Sequence, residues 1–414
     1  MRLGAEAPSL VSNVSWAFIG NVIYAFSQWG ILVSITKVGT TAGAGQFALG
    51  LAVTAPAFML LNFQLRSIQA TDANDRYSFG QYWGLRFYSC LLAFLLIAAF
   101  VVFSSYSSHQ KLIILILAAA KAVESISDVC YGLLQKNEMM QQISSSLICR
   151  GVASLCTIPA VLLITRSLIP ALAVQCLVWL GVLLLYDLRN VKKIGRFRPV
   201  YKIKLLKSLL YEGVPMGVTS LLISLNTNIP RYFIEHYKGT FGLGVFIAVE
   251  SMLAVPQTLV DAVAQSLMPG MARHYAGGEK DRLVKTIKKL LAAGVILGTT
   301  EVVLAGLLGK PVLVLMYNSD IAAYSYLLVS FMILSGILHL QTFLFAAVNS
   351  VRLYKVQMPV NICKIIVVLT VSVLMIQKFG MAGALAALII SALFSVVIYA
   401  LLLSRTIRKA SEEG

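Results

Sequence analysis

The stretches "LLAFLLIAAFVVF" (91–103) and "LAALIISALFSVVIYALLL" (385–403) leave this chain few places to fold. A helix needs roughly 20 apolar residues to cross the ~30 Å hydrocarbon layer of a bilayer. Charged residues make up only 12% of the sequence and hydrophobic ones 58%, against roughly 25% and 45–50% in ordinary globular chains. So few charges cannot cover a water-exposed surface. The chain reads as all-α and as a polytopic membrane protein.

The span rule finds about twelve crossings, near 10–36, 42–65, 81–103, 112–135, 143–165, 168–188, 208–234, 241–268, 286–308, 320–348, 354–376 and 381–404. The opening "MRLGAEAPSLVSNVSWAFIGNVIYAF" lacks a basic region feeding a short apolar core and a small-residue cleavage site, so its apolar stretch is read as a span. The six cysteines, Cys90, Cys130, Cys149, Cys156, Cys176 and Cys363, fall in apolar stretches without metal-ligand spacing. They read as small buried hydrophobes.

A net charge of +17 suggests nucleic acid until the charges are placed. Of the 34 Lys and Arg, 23 fall in the N-terminal tail, alternate loops and C-terminal tail, six in the opposite loops and five inside spans. The positive-inside rule then puts both termini in the cytoplasm, and no nucleic-acid partner is expected.

The repeat follows from that sidedness. TAGAGQF (41–47) and TFGLGVF (240–246) share T-x-G-x-G-x-F at an offset of 199 positions. Both are expected in external turns, before spans two and eight. They predict two parallel six-helix repeats related by an axis along the membrane normal. The domains are then 1–188 and 208–414, joined by the basic linker "RNVKKIGRFRPVYKIKLLK" (189–207). A phosphate loop is excluded, since no strand precedes the glycines and no G-K-[ST] follows. External loops of about ten residues or fewer leave no room for an extramembrane catalytic domain.

The loops "LRSIQATDANDRYSFGQYWGLR" (65–86), "KAVESISDVCYGLLQKNEMM" (121–140), "NIPRYFIEHYKGTFGLGVF" (228–246), "QSLMPGMARHYAGGEKDRL" (265–283) and "QKFGMAGALAA" (377–387) resemble Wzx-like oligosaccharide flippases of the multidrug/oligosaccharidyl-lipid/polysaccharide exporter superfamily. The resemblance implies two six-helix bundles in a V around a central cavity that opens alternately to each side. It implies a cargo of undecaprenyl-diphosphate-linked oligosaccharide, moved to the outer leaflet of the bacterial inner membrane for O-antigen, capsule or a similar polymer. Coupling to an H+ or Na+ gradient, and the pathway's polymerase and chain-length proteins as partners, are expected on the same ground. No cofactor is expected.

Ionisable groups in the apolar layer cost at least ~2.5–3.5 kcal/mol each near its centre, so they face protein or water. Lys121, Glu124 and Asp128, spaced i, i+3, i+7, share one face of span four. Either they line a cavity and handle a proton or a sugar, or Lys121 and Glu124 neutralise each other and Asp128 bonds a neighbouring helix. Arg86 and Arg150, near the cytoplasmic end, either meet the diphosphate through a two-pronged guanidinium contact or snorkel to the interface. Lys364, near mid-span, is read as lining the cavity, and Arg231 after Pro230 as part of an outer gate or an interfacial cation. Glu250 and Asp261, eleven residues apart, can share a face, and with Glu124 and Asp128 they are the candidate ion-coupling groups. Asp72 and Asp75 in the loop "TDANDR" read as capping residues paired with Arg66 or Arg76. His109, His236, His274 and His339 show no metal spacing. A cation-coupled multidrug exporter shares the expected fold, but acids are absent from the first two spans. A membrane polymerase or ligase would need a sizeable external loop.

Overall fold

A computed structural model of the 414-residue chain describes residues 10–72, 74–195, 198–353 and 356–412. Arg2, Arg196 and Lys355, counted above as cytoplasmic cations, lie outside the described residues. Every regular element among the described residues is a helix. In order these are α1 (Leu10–Ser34), α2 (Thr41–Leu61), α3 (Leu65–Thr71), α4 (Phe79–Phe103), α5 (Ser108–Lys136), α6 (Met140–Thr165), α7 (Leu168–Val182) and α8 (Leu188–Ile194). There follow α9 (Ile203–Glu250), α10 (Ala254–Ala276), α11 (Lys280–Met316), α12 (Ser319–Ala322), α13 (Ser325–Ser350), α14 (Gln357–Phe379) and α15 (Met381–Glu412).

Ten described segments are long and apolar enough to cross a membrane. One of them, Leu206–Ala276, passes through a break at Gly239 and contains two crossings. The helix α5 is absent from the ten because Lys121, Glu124 and Asp128 interrupt its apolar run. With these two it makes twelve, in agreement with the sequence.

The repeated heptapeptide is displaced by one residue from its expected place. It opens the helix and does not form the turn. Thr40 is extended, with φ −141° and ψ 155°, and its hydroxyl accepts from Gly43 N at 2.9 Å, so TAGAGQF makes the first two turns of α2. At the same offset, Gly239 breaks α9 at φ 64° and ψ −174°, a conformation open in practice only to glycine. TFGLGVF is helical from there. Phe47 and Phe246 are both buried, as a residue packing at the start of a helix should be.

The chain forms two compact units, 1–224 and 225–414, and passes from one to the other between Ser224 and Leu225, inside α9. In the first, α5 packs against α2, α3, α4 and α7, while α1 lies along α6. In the second, α13 packs against α10, α11 and α15. The most charged crossing of the first unit is thus its innermost helix, which is where ionisable groups cost least in a bilayer.

The basic linker and the start of α9 belong to the first unit. Val200 N donates to Gly80 O at 3.0 Å, and Tyr88 Oη donates to Tyr201 O at 3.0 Å. A Cβ at Gly84 would lie 1.8 Å from Val200 O and one at Gly80 2.1 Å from Arg198 O, so the linker backbone lies directly on the start of α4. Farther along, Phe63 and Gln64 turn the chain between α2 and α3 with φ of 49° and 50°. Such left-handed residues are strained unless held. The Phe63 ring packs on Gly213 and Gly217, and Gln64 donates to Ser220 Oγ at 2.9 Å.

The loop between α3 and α4 is fixed by Asp72, only 3% exposed. Its carboxylate accepts from Arg76 N at 3.0 Å and Tyr77 N at 3.1 Å, and Arg76 Nε lies 3.7 Å away. Burial opposes ionisation, but the two backbone donors and the nearby cations outweigh it and hold the carboxyl below the usual range. Asp75 pairs with Lys136 at 2.6 Å. Arg76 was correctly paired, whereas Arg66 reaches a different acid.

Because the folded-state pKa of Asp72 is depressed, its contribution is present at neutral pH and lost as pH falls through the carboxylate range. Asp72→Ala should cost about 1–3 kcal/mol at pH 7, the magnitude for stranding buried donors. Thermal unfolding of the detergent-purified protein should show the wild-type and variant curves converging on acidification. A gap that stays constant with pH would contradict this account.

Candidate functional site

Three charged residues of the first unit lie along one stripe of α5. Lys121, Glu124, Asp128, Tyr131 and Gln135 recur at three- and four-residue steps, so all face the same way. Lys121 Nζ lies 2.7 Å from Glu124 Oε2, and Tyr24 Oη of α1 donates to Glu124 Oε1 at 3.2 Å. These two ions are thus each other's partners, and each is 31% exposed.

Asp128 is shared by two guanidinium groups. Arg86 Nη2 of α4 lies 3.3 Å from Oδ2, and Arg66 Nη1 of α3 lies 3.5 Å from Oδ1. Arg86 is 1% exposed and also donates to Asn62 Oδ1, which accepts from Ser125 Oγ at 3.0 Å. Arg66 is 32% exposed, donates through Nε to Gln135 at 3.0 Å, and lies over the Tyr131 ring at 5.5 Å. Arg66 was assigned to a loop because it follows the apolar run. The left-handed turn at Phe63 and Gln64 brings it back beneath α5.

Arg150 does not snorkel and has no open cavity wall around it. It is 1% exposed on α6 and lies 2.8 Å from Asp187 Oδ2, an acid 0% exposed at the π-helical turn that follows α7. Arg150 also donates to Ser127 Oγ. Ser146 Oγ donates to Asp187 Oδ1 at 2.6 Å, and the Tyr131 and Trp179 rings lie 5.8 and 6.0 Å from the guanidinium. The sequence alone assigns Asp187 no role, since it falls at the end of the expected span 168–188, next to the basic linker.

In the second unit the candidates scatter into separate places. Arg231 Nη2 pairs with Glu250 Oε2 at 3.1 Å and Nη1 donates to Asn228 at 3.1 Å, so a proposed gate cation and a proposed coupling acid are joined across the Gly239 break. Asp261 takes hydrogen bonds from Gln257 at 3.0 Å and Thr342 at 3.5 Å, at the edge of a cavity of about 150 Å³ that also touches Gln265 and Asn349. Lys364 is half-buried on α14 and makes no ion pair or hydrogen bond among the described residues. The pair Glu301 and His339, which the sequence reading left separate, lies 2.9 Å apart.

The Arg150–Asp187 pair gives a test of how the interior is held. Removing one partner of a buried pair strands the other charge and costs roughly 3–5 kcal/mol, whereas replacing both by apolar groups is often near neutral. Asp187→Leu alone should therefore destabilise strongly, and Arg150→Met with Asp187→Leu should regain most of the loss. Unfolding midpoints of the two variants check this; equal losses would argue against a matched pair.

Comparisons with known proteins bear on the fold and the family. Among solved structures the chain is similar to a multidrug resistance MATE family transporter of the MOP superfamily in its inward-facing conformation, with TM-score 0.71 and 12% identity over 96% of this chain and 99% of that one. It is also similar to a MOP superfamily transporter from Pyrococcus furiosus, with TM-score 0.60 and 12% identity over 96% and 94%. At that identity these establish the fold, that of a membrane transporter. A curated relative, the capsular polysaccharide biosynthesis protein CapF of Staphylococcus aureus, is 26% identical over 397 residues, 94% of this chain and 98% of that protein. Residues 10–275 match the model of a family described as polysaccharide biosynthesis protein. The chain belongs to the polysaccharide biosynthesis protein family and has the fold of the MATE-like transporters.

Proposed function

We propose that this transporter flips an undecaprenyl-diphosphate-linked oligosaccharide, a repeat unit for capsule or a similar surface polymer, from the cytoplasmic to the outer leaflet by ion-driven alternating access. The site is the bacterial inner membrane, with both termini cytoplasmic and the pathway's polymerase and chain-length proteins as neighbours. One observation carries the reading. In the first unit Lys121 is matched by Glu124 and Arg150 by Asp187, but Asp128 alone answers both Arg66 and Arg86. One positive charge is left over at the cytoplasmic end, and the better exposed guanidinium, Arg66, stands where a diphosphate would load. Guanidinium suits that ligand because its fork contacts two oxygens at once. Arg86 sits behind it, fixing Asp128. A positive surplus also disfavours a cationic drug as cargo.

The test is deletion of the gene, extraction of lipid-linked sugars and assay of surface polymer. The completed lipid-linked unit should accumulate while polymer disappears, and the wild-type gene should restore both. Arg66→Ala should lower export about tenfold or more, the loss of one charge-assisted contact, with Arg66→Lys intermediate. Intact polymer with new sensitivity to cationic dyes would overturn the flippase in favour of a multidrug exporter.

A further inference from the structure

The second unit contains an ionisable pair that nothing in the mechanism above uses. Helices α11 and α13 are antiparallel neighbours joined through α12, and they cross at a pair of glycines. A Cβ on Gly298 would lie 2.6 Å from the Gly336 Cα, so the two backbones touch there. Glu301 and His339 each lie three residues beyond their glycine. Side chains on a helix lean toward its N-terminus. On antiparallel helices the two therefore lean toward each other, and Glu301 Oε1 meets His339 Nε2 at 2.9 Å. Both lie near the middle of their crossings.

The surroundings are dry. His339 is 0% exposed and the Glu301 side chain 11%. Ser335 Oγ touches His339 Nε2 at 3.3 Å, while His339 Nδ1 and Glu301 Oε2 are buried without a hydrogen-bond partner among the described residues. Glu301 borders a cavity of about 390 Å³ whose other lining, including Met252, Leu259, Leu297, Leu304 and Met332, contains no ionisable side chain. The packed helices carry most of their ionisable groups toward their ends, among them Arg273, Lys285, Lys288, Lys289 and Arg405, with a few others between. From α10 comes Asp261, held by Gln257 and Thr342; from α15 comes Tyr399, packed at 6.0 Å on Phe345. Lys310, Asp320 and Tyr326 are exposed. None of these hydrogen-bonds Glu301 or His339.

We propose that Glu301 and His339 together form a proton-binding site of the second unit, and that this proton is the ion coupled to transport. With one proton shared along the Glu301–His339 hydrogen bond, the pair is neutral overall as imidazolium–carboxylate or imidazole–carboxylic acid. Without it, a carboxylate faces a neutral imidazole and the pair carries a net negative charge. That charge is costly at mid-membrane, so loss of the proton favours an arrangement in which Glu301 reaches water. The glycine crossing lets the two backbones approach closely enough for the pair to meet. A metal ion is a poorer fit: one carboxylate and one imidazole supply too few ligands, and neighbouring Asp261 is turned toward Thr342 and Gln257.

The coupling role rests on the transporter reading, while proton binding is measurable without cargo. The purified full chain in nanodiscs, labelled with 15N-histidine, should show four histidine signals, from His109, His236, His274 and His339. The His339 signal, identified by its loss in His339→Gln, should change protonation as the sample is acidified and respond differently in Glu301→Gln. In wild type, acidification should also raise an infrared carboxylic-acid band that Glu301→Gln lacks, a readout available even if His339→Gln fails to fold. A His339 signal that holds one state throughout, or titrates unchanged in Glu301→Gln, overturns the proton site, whatever the cargo proves to be. In the deletion strain, Glu301→Gln should make polymer export insensitive to a protonophore; export that still collapses would overturn the coupling role.

Discussion

Most charges drawn into the described part of this fold meet an opposite partner, because neither lipid nor a packed apolar interior will solvate them. Arg86 bridges α4 to α5, Arg150 bridges α6 to the turn after α7, Arg231 reaches across the Gly239 break to Glu250, and Glu301 bridges α11 to α13. The hydrophobic effect contributes little to association among helices already in hydrocarbon, which leaves close packing and polar contacts. These polar bridges, with close backbone approaches at glycine, set which helices are neighbours and at what height. The rest of the architecture follows from them.

The two units differ in how their charges balance. In the first, cations exceed acids toward the C-terminal end of α5, and the pairing is dense and continuous through Tyr131, whose ring lies beneath both Arg66 and Arg150. In the second, the groups are isolated: Asp261 has amide and hydroxyl partners and no cation, while Lys364 has no partner among the described residues.

The spans and the stripe of Lys121, Glu124 and Asp128 were legible in the sequence because both depend on local spacing: twenty apolar residues, or steps of three and four. The glycines of the shared heptapeptide were read as the turn, whereas they open a helix. A glycine pair beside a span end signals a boundary without saying on which side the chain bends; here Thr40 and Gly239 do the bending. The ion pairs were not legible. Asp187 joins Arg150, and His339 joins Glu301, across 37 and 38 residues of chain, at heights set only when the helices pack. Arg66 was misplaced for a related reason: its position depends on two left-handed residues that no glycine announces.

The seating of the linker on Gly80 and Gly84 bears on how such a chain can evolve. A duplicated protein with a basic loop between its halves looks as though the halves could be exchanged freely at that loop. Here the backbone of 198–200 and the start of α9 are already part of the first half, down to the Phe63 ring on Gly213 and Gly217. A recombination point inside 189–207 would part a foreign helix from the seat built for it. Viable chimaeras would have to cross over later, beyond Ser220, in the middle of what looks from the sequence like the first helix of the second half.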